Sequence, residues 1–288
     1  MRLSTLLNKI INKINDFVLT NTHPKLYLNF VKFCYPLLLL KFIDPKIYFG
    51  FYKNLYKVNY NKRSSYYYYN ISRSPRYCSG GFLGAGEYLY KKYLLNNVPI
   101  NKNDIVIDVG ANIGELSVYL AKFNPYIYAF DIEQKALECL KLNLKNYKKK
   151  NIKKLAIWKD NGFIEFSSSV ENASSTLLYY KKNKKNLTIK KIKSVTLDNF
   201  FKHKIQKRIK LIKIEAEGAE PEILQGALKL LKKTEFVSID VSPERYGTHG
   251  VFGKSTLESC KKILHKNNYK LIVKKDCCLG INKRYLKT

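Results

Sequence analysis

The chain has 288 residues, of which 45% are hydrophobic, and it carries a formal net charge of +31 at pH 7. This length and apolar content can supply the core of one large α/β domain with an extension, which argues against global disorder. Lysine is spread among asparagine, isoleucine and tyrosine rather than focused on one helix face. The charge therefore favours attraction to an anionic glycan or membrane surface over functional nucleic-acid binding.

Cysteine usage indicates the redox compartment. The six cysteines include no C-x-x-C pair and no histidine at zinc-finger spacing, and Cys277 and Cys278 are adjacent. This pattern is typical of a reduced, cytoplasmic protein. The segment 26–43 is the nearest approach to a membrane span, but it contains Lys32, Pro36 and Lys41 and is short for one. A packed helix, or a helix lying peripherally at the inner membrane surface, is the better prediction.

Residues 1–78 are predicted to form a basic, aromatic-rich and mainly helical N-terminal extension. Leu6, Ile10 and Ile14 recur at helical spacing, so the first segment is an amphipathic helix. The tyrosine run 66–69 could stack on sugar rings or bases, but an irregular, half-buried segment is favoured. The glycines between residues 80 and 86 predict a hinge before a second domain, 79–288, whose first helix is expected from Glu87 to Leu95.

The segment 104–131 is the most informative part of the chain. Apolar β-branched residues 105–109 predict a buried strand, Gly110 and Gly114 bracket a turn before a helix, and a second apolar strand ends in Asp131. Asp131 lies 131 − 110 = 21 residues after the first turn glycine. An acid at roughly this offset of about 20 residues meets ribose hydroxyls in nucleotide-binding βαβ units.

The turn differs from the dinucleotide fingerprint G-x-G-x-x-G. Ala111 and Asn112 stand where the middle glycine would make room for a pyrophosphate, and Asp108 puts a negative charge at the ligand end of the strand. A nicotinamide dehydrogenase is therefore disfavoured. A ligand with an adenosine and a cationic centre fits better, and S-adenosylmethionine has both. The alternative is an ordinary strand-turn-helix packing unit without a ligand.

The remaining elements alternate between strands and helices. Helices are predicted at 133–146, from Glu220 onward and at 255–265. Strands are predicted at 153–158, 209–214 and 236–241, with an antiparallel pair at 269–273 and 279–285. Residues 167–193 are polar and read as a surface excursion or a small hairpin. This alternation predicts a doubly wound α/β sheet with ligands at the carboxyl ends of its strands.

Several phrases, in this order, resemble the FkbM family of S-adenosylmethionine-dependent methyltransferases: DVGANIGELS (108–117), KIEAEGAE (213–220) and VSIDVSPERYG (237–247). The resemblance covers about residues 81–269. It implies a class I, Rossmann-like methyltransferase with a seven-stranded, mostly parallel sheet, S-adenosylmethionine as cofactor, and methyl transfer to oxygen, often on a sugar or natural-product hydroxyl. Two departures stand out, because Asp131-Ile132 replaces the usual Glu-Pro and Glu215-Ala216 replaces the usual Asp-Val.

The resemblance and the strand ends together select candidate site residues. The adenine of such a cofactor lies against the backbone after the third strand, which singles out Ala156. The cofactor-binding candidates are Asp108, Gly110, Asn112, Gly114, Asp131, Ile132 and Ala156. No metal-ligand spacing is present, so no metal ligand is assigned, and a divalent metal held by the clustered acids is a minority alternative.

A sugar hydroxyl is a poor nucleophile, so a base near the ends of the fourth and fifth strands is expected. Glu217 is the first choice, followed by Glu215 and His249, although an acid before a helix can instead cap free N–H groups. The expected partner is a glycan or small-molecule acceptor, together with an anionic membrane surface met by the basic N-terminal region. The rivals are an RNA methyltransferase, disfavoured because two acids would repel phosphates, and a catalytically inactive binding protein with this fold.

Overall fold

The computed structural model describes residues 2–34, 46–61, 64–168, 175–176, 188–204, 207–244 and 253–286. The chain divides into two compact units, Met1–Glu87 and Tyr88–Thr288. The division follows Glu87 rather than residue 78. No helix among the described residues is long and apolar enough to cross a membrane. The predicted peripheral segment 26–43 lies partly outside the described residues.

The first unit combines helices with a sheet. Its helices are α1 (Arg2–Asn21) and α2 (Pro24–Phe33), and its strands are β1 (Ile47–Tyr52), β2 (Leu55–Tyr60) and β3 (Ser64–Tyr68). The strands form an antiparallel meander in the order β1-β2-β3. A short 3₁₀ helix follows at Ile71–Tyr77.

The prediction of an irregular tyrosine run was wrong. Tyr66, Tyr67 and Tyr68 belong to β3, and the last two are buried. Aromatic residues fit the pleated, half-buried surface of a sheet, so a run of them supports a strand when neighbouring strands are available. Those strands come from residues 47–60, where the sequence showed no clear period.

The predicted hinge was also wrong. The glycines at 81, 84 and 86 lie inside a helix, α3 (Gly81–Lys92), which begins before the predicted start at Glu87. A Cβ at Gly84 would lie 3.2 Å from the carbonyl oxygen of Ser79. At this position the missing side chain permits close backbone packing.

The second unit is built on one large sheet. Its strands are β4 (Ile105–Val109), β5 (Tyr126–Asp131), β6 (Lys150–Lys154), β11 (Ile209–Ile214), β12 (Thr234–Asp240), β13 (Tyr269–Lys274) and β14 (Cys277–Asn282). They are arranged in the order β13-β14-β12-β11-β4-β5-β6, and all neighbours are parallel except β14, which runs antiparallel to both β12 and β13. The seven-stranded, mostly parallel, Rossmann-like class I methyltransferase fold is confirmed.

Short helices follow most of the parallel strands. They are α4 (Glu115–Leu120), α5 (Gln134–Asn143), α6 (Leu197–Phe201), α7 (Glu220–Gln225), α8 (Leu228–Leu231) and α9 (Leu257–Lys266). Every residue of β11 and of β12 is buried. Both strands are therefore covered on both faces, although Lys210, Lys213 and Glu235 lie within them.

The predicted third strand, 153–158, is divided between two sheets. Lys150–Lys154 forms the edge strand β6, whereas β7 (Ala156–Ile157) pairs in parallel with β10 (Thr188–Val195). The chain changes sheets at Leu155, whose N–H donates to the carbonyl of Asp131 at 3.1 Å. The second sheet has the order β7-β10-β8-β9, with β8 at Gly162–Ser168 and β9 at Ser175–Thr176. Strands β8 and β10 pair antiparallel, whereas most of the predicted excursion 167–193 lies outside the described residues.

Candidate active site at the carboxyl ends of the strands

The glycine turn after β4 approaches the segment after β11 closely. Gly110 has φ +71°, and a Cβ there would lie 1.8 Å from the carbonyl oxygen of Glu215. Gly114 has φ +90°, and a Cβ there would lie 2.4 Å from Cδ1 of Leu140. Both positions exclude any side chain, because the φ angle is unfavourable and the space is already filled. The glycine spacing noted in the sequence therefore reflects two contacts inside the protein.

Asp131 ties this turn to the end of β5. Its Oδ2 accepts a hydrogen bond from the Asn112 N–H at 2.7 Å, and its Oδ1 accepts from the Glu133 N–H at 2.9 Å. Burial raises the pKa of the Asp131 carboxyl, although these N–H donors act to lower it. A carboxylate offers about four acceptor sites, and the Ile132 N–H also acts to lower this pKa, so backbone donors take up at most three of them. Asp131 is therefore a carboxylate held at the end of β5, next to the glycine turn.

Two apolar cofactor candidates lie together beside Asp131. Ala156 is fully buried, and Ile132 packs against the small cluster that Ala156 forms with Phe166 and Ile192. The cluster covers the region where the chain passes from β6 to β7. The structure therefore brings the predicted ribose and adenine residues to one place.

Asp108 is a buried, internally bonded acid. It accepts a hydrogen bond from Ser117 Oγ at 2.6 Å and lies 3.1 Å from Lys213 Nζ. Asp108 and Lys213 are register partners on the adjacent strands β4 and β11. The negative charge that the sequence placed toward the ligand is therefore balanced by a cation within the sheet.

Lys213 connects three parts of the site. Its Nζ lies 3.2 Å from Glu215 Oε2, in addition to its pair with Asp108, and donates to the carbonyl of Gly110 at 3.0 Å. Burial alone would lower the pKa of Lys213, but Asp108 and Glu215 raise it above its ordinary value. The side chain therefore stays charged and holds the ends of β4 and β11 together.

Glu215 is held as an ionised carboxylate. Burial would raise its pKa, but Lys213 and Lys92, which lies 3.9 Å away, lower the pKa to about 2. Lys92 also forms a 2.6 Å ion pair with Asp240 at the end of β12. Both lysines lie over the ring of Tyr93, at 5.0 and 5.2 Å from its centroid. A carboxylate with such a low pKa is a weak proton acceptor, which disfavours Glu215 as the base.

Glu217 has the opposite electrostatic environment. It is half-buried, and its φ of 51° places a non-glycine residue in the left-handed region. Burial raises the pKa of Glu217 to about 8, with further contributions from the charges of Glu244, Glu215 and Glu220. Strained backbone and a pKa near neutrality often mark functional residues.

Glu220, the first residue of α7, binds the loop before the helix, and the N-cap position provides no side-chain cap for the free N–H groups of the helix itself. Its Oε1 accepts hydrogen bonds from the N–H groups of Ala216 at 2.9 Å and Gly218 at 3.1 Å, and its Oε2 accepts from Thr256 Oγ1. Burial raises the pKa of Glu220 to about 7. The loop between β11 and α7 is therefore organised by Glu220.

The carboxyl ends of β4, β11 and β12 gather more acids than bases, although the chain as a whole is strongly basic. The two lysines are Lys92 and Lys213, and the acids linked to them or to one another are Asp108, Glu215, Glu217, Glu220, Asp240 and Glu244. Within the part of the chain that the structure describes, no group of His, Cys, Asp or Glu side chains is arranged to hold a metal ion. An excess of acids at the ends of these strands suits an organic cation or proton transfer.

Sequence reasoning found some of these residues and missed others. His249 lies outside the described residues, so its placement stays a prediction. Lys92, Lys213 and Tyr93 were missed. A signal for Lys213 was present, because a lysine within the otherwise apolar strand sequence IKLIKI must find a buried partner. Lys92 and Tyr93 lie at the end of a helix and offered no comparable signal.

The comparisons with known proteins agree with this architecture. A family model described as "Methyltransferase FkbM domain" matches residues 108–271. A curated protein of Methanocaldococcus jannaschii, "Probable cobalt-precorrin-6B C(15)-methyltransferase (decarboxylating)", is 37% identical over 57 residues, which is 20% of this chain and 31% of that protein. The chain thus matches about a third of the length of that relative.

Solved structures of methyltransferases are also similar. A precorrin-6y C5,15-methyltransferase from Geobacter metallireducens has a TM-score of 0.38 at 12% identity, covering 66% of this chain and 74% of that one. A magnesium protoporphyrin IX methyltransferase from Synechocystis, solved with bound S-adenosylmethionine, has a TM-score of 0.38 at 10% identity, covering 70% and 79%. Because these scores are low, the fold assignment rests on the strand order of the chain itself.

Proposed function

The chain belongs to the FkbM methyltransferase family, and we propose that it uses S-adenosylmethionine to methylate a hydroxyl group of a sugar, a glycan or another small molecule. The resemblance to a family that methylates oxygen favours a hydroxyl acceptor, and one observation supplies the base that such an acceptor needs. Glu217 stands at the end of β11 with its pKa raised to about 8. A base with a pKa near the working pH combines a useful deprotonated fraction with good proton affinity.

The residues present fit the proposed cofactor. Asp131 lies at the end of β5 with a carboxylate that can accept from a ribose diol, and the partly buried Ile132 beside it offers an apolar contact for an adenine ring. The acid excess around Glu215 and Asp240 complements a sulfonium and an α-ammonium group. When bound, S-adenosylmethionine supplies an electrophilic methyl group.

Glu217 then acts on the acceptor. Its carboxylate accepts the proton of the acceptor hydroxyl, while the rigid backbone around it holds the acceptor in line for displacement. Glu215 keeps its charge and supports this arrangement through Lys213 and Lys92. General-base assistance of this kind contributes roughly 10²–10⁴-fold to the rate.

The test is methyl transfer from radiolabelled S-adenosylmethionine to extracted polysaccharide, to a panel of sugars and to RNA. Incorporation into a hydroxylated acceptor is expected, and Glu217→Gln should lower kcat by roughly 10²–10⁴-fold. Glu222→Gln is the matched control, because it changes a half-buried glutamate in α7 without entering the acid cluster. Incorporation into RNA alone would overturn the proposal in favour of the rival that the net charge suggests.

Cofactor binding is tested separately by titration calorimetry with S-adenosylhomocysteine. Asp131→Ala should weaken binding about tenfold or more, since it removes a charge-assisted acceptor for hydroxyl groups. Asp160→Ala, which removes an exposed loop carboxylate, should leave the affinity unchanged. A folded wild-type protein that gives no heat at high micromolar ligand would point to an inactive binding protein.

A further inference from the structure

Helix α1 is anchored to the first unit by one face. Ile11 is buried, and the buried side chain of Asn15 accepts a hydrogen bond from the Tyr27 hydroxyl of α2 at 2.9 Å. Val18 and Leu19 pack against the cluster that contains Tyr27 and Val31. These contacts fix the rotation of α1 about its axis, so the neighbouring face points away from the core of the unit.

That neighbouring face carries an apolar stripe, which we call the α1 stripe: Ile10, Ile14 and Phe17. The three residues are spaced i, i+4 and i+7, so they align along one side of the helix. Their exposed fractions are 47%, 37% and 68%. Single exposed apolar residues are ordinary, but an aligned set on an amphipathic helix indicates an interaction surface.

The positive charge of the first unit favours an anionic partner for the α1 stripe. Residues 1–87 contain 13 Lys and Arg and 3 Asp and Glu, a formal balance of 13 − 3 = +10. The exposed Lys13 lies on α1 itself, next to Ile14. A second copy of the chain would bring the same positive charge to the contact, and a phosphate backbone offers no apolar site for Phe17. An anionic bilayer satisfies both the charge and the apolar side chains.

We propose that the first unit docks on anionic lipid membranes through the α1 stripe. Helix α1 lies in the plane of the interface, with Ile10, Ile14 and Phe17 inserted at the boundary between headgroups and acyl chains and with lysines at the headgroups. The proposed attachment is peripheral and reversible, as it is for a helix that lies in the interface. The proposed docking determines where the enzyme acts and does not depend on which acceptor it methylates.

Vesicle co-sedimentation of the full chain tests the proposal. Vesicles of phosphatidylcholine with phosphatidylglycerol should retain the protein, and vesicles of phosphatidylcholine alone should not. The double variant Ile14→Ser, Phe17→Ser keeps every charge, and its partition coefficient should fall about tenfold or more because two apolar side chains are lost. Binding should also weaken as salt is raised.

The matched control is Phe163→Ser, Ile189→Ser in the smaller sheet of the second unit. Phe163 is 66% exposed and Ile189 is 51% exposed, close to the values for the stripe. This variant should bind vesicles like the wild type. Equal binding by the stripe variant would show attraction by charge alone and overturn the proposal. An oligomer lost only in the stripe variant, seen by light scattering without vesicles, would assign the stripe to self-association instead.

Discussion

The two ends of strand β11 carry two buried lysines with different surroundings. Near the amino end, Lys210 lies 3.0 Å from Glu235 and 3.9 Å from Asp104, and Arg208 lies 3.1 Å from the same Glu235. Two cations thus meet two acids. Near the carboxyl end, Lys213 and Lys92 meet a larger group of acids, among which Glu217 and Glu220 have raised pKa values.

The difference separates a structural role from a functional one. A balanced ionic group can be explained by the need to pair charged side chains at the amino ends of the central strands. An excess of buried acids destabilises the folded state, and such unfavourable charge clusters are found where chemistry requires them. The amino end therefore matches a structural role, and the carboxyl end is where the proposed function puts the reaction.

The largest expected effect comes from Lys213→Met. It leaves the buried Asp108 and Glu215 without their shared cation, so the free energy of unfolding should fall by about 3–5 kcal/mol. Urea unfolding followed by circular dichroism measures this change. The double variant Asp108→Asn, Lys213→Met should recover part of the loss, because it removes the uncompensated charge together with the lysine.

Lys210→Met should have a smaller effect, about 1–2 kcal/mol, because Glu235 keeps Arg208 as a partner. The same unfolding measurement applies. A loss as large as that of Lys213→Met would show that the two ends depend equally on their lysines. The proposed difference between a structural amino end and a functional carboxyl end of β11 would then be wrong.

The pH dependence of the free energy of unfolding should also distinguish the carboxyl end of β11 from its amino end. The folded-state pKa values of Glu217, about 8, and Glu220, about 7, lie above the ordinary value of 4.5. Between those values the folded chain keeps protons that the unfolded chain has released, so the free energy of unfolding should decrease as pH rises from about 5 to about 8. Each group contributes a slope below about 1.4 kcal/mol per pH unit, since solvent screens the half-buried Glu217.

Glu217→Gln should flatten the upper part of this slope, while Lys210→Met should leave the shape of the curve unchanged. Urea unfolding of each variant across the same pH range makes the comparison. A wild-type curve that rises between about pH 5 and about pH 8 would contradict the raised pKa values.

The smallest effect is expected for Arg208→Met. Its guanidinium is about half exposed, and Glu235 keeps Lys210. A solvent-screened pair of this kind contributes roughly 0.2–1 kcal/mol. A loss above that range would mean that the amino-end group is more tightly coupled than its distances indicate.

Local patterns were sufficient for much of the fold. The mainly apolar run at 105–109 predicted a buried strand, the segment 209–214 was predicted as the fourth strand, and the FkbM-like phrases predicted the family. The third strand and the start of α3 were misplaced, because the edge of a sheet and a glycine-rich helix have weak local signals. Both depend on which other segments are available for packing.

The site was less predictable than the fold. Asp131 and Glu217 could be selected because Asp131 ends β5 and Glu217 lies three residues after the end of β11. The pairing of Lys213 with Asp108 depends on the register between strands that are far apart in the sequence. The difference in pKa between Glu215 and Glu217 depends in turn on that pairing and on Lys92. Such couplings require the three-dimensional arrangement.

The backbone contact between Gly110 and Glu215 limits how this enzyme can be re-engineered. One loop meets the proposed methyl donor and the other carries the proposed base, and at residue 110 there is no room for even a methyl group between them. Grafting either loop from a related enzyme would move the other. A change of acceptor specificity that preserves activity therefore has to be sought in segments outside this pair, or with both loops exchanged as one cassette.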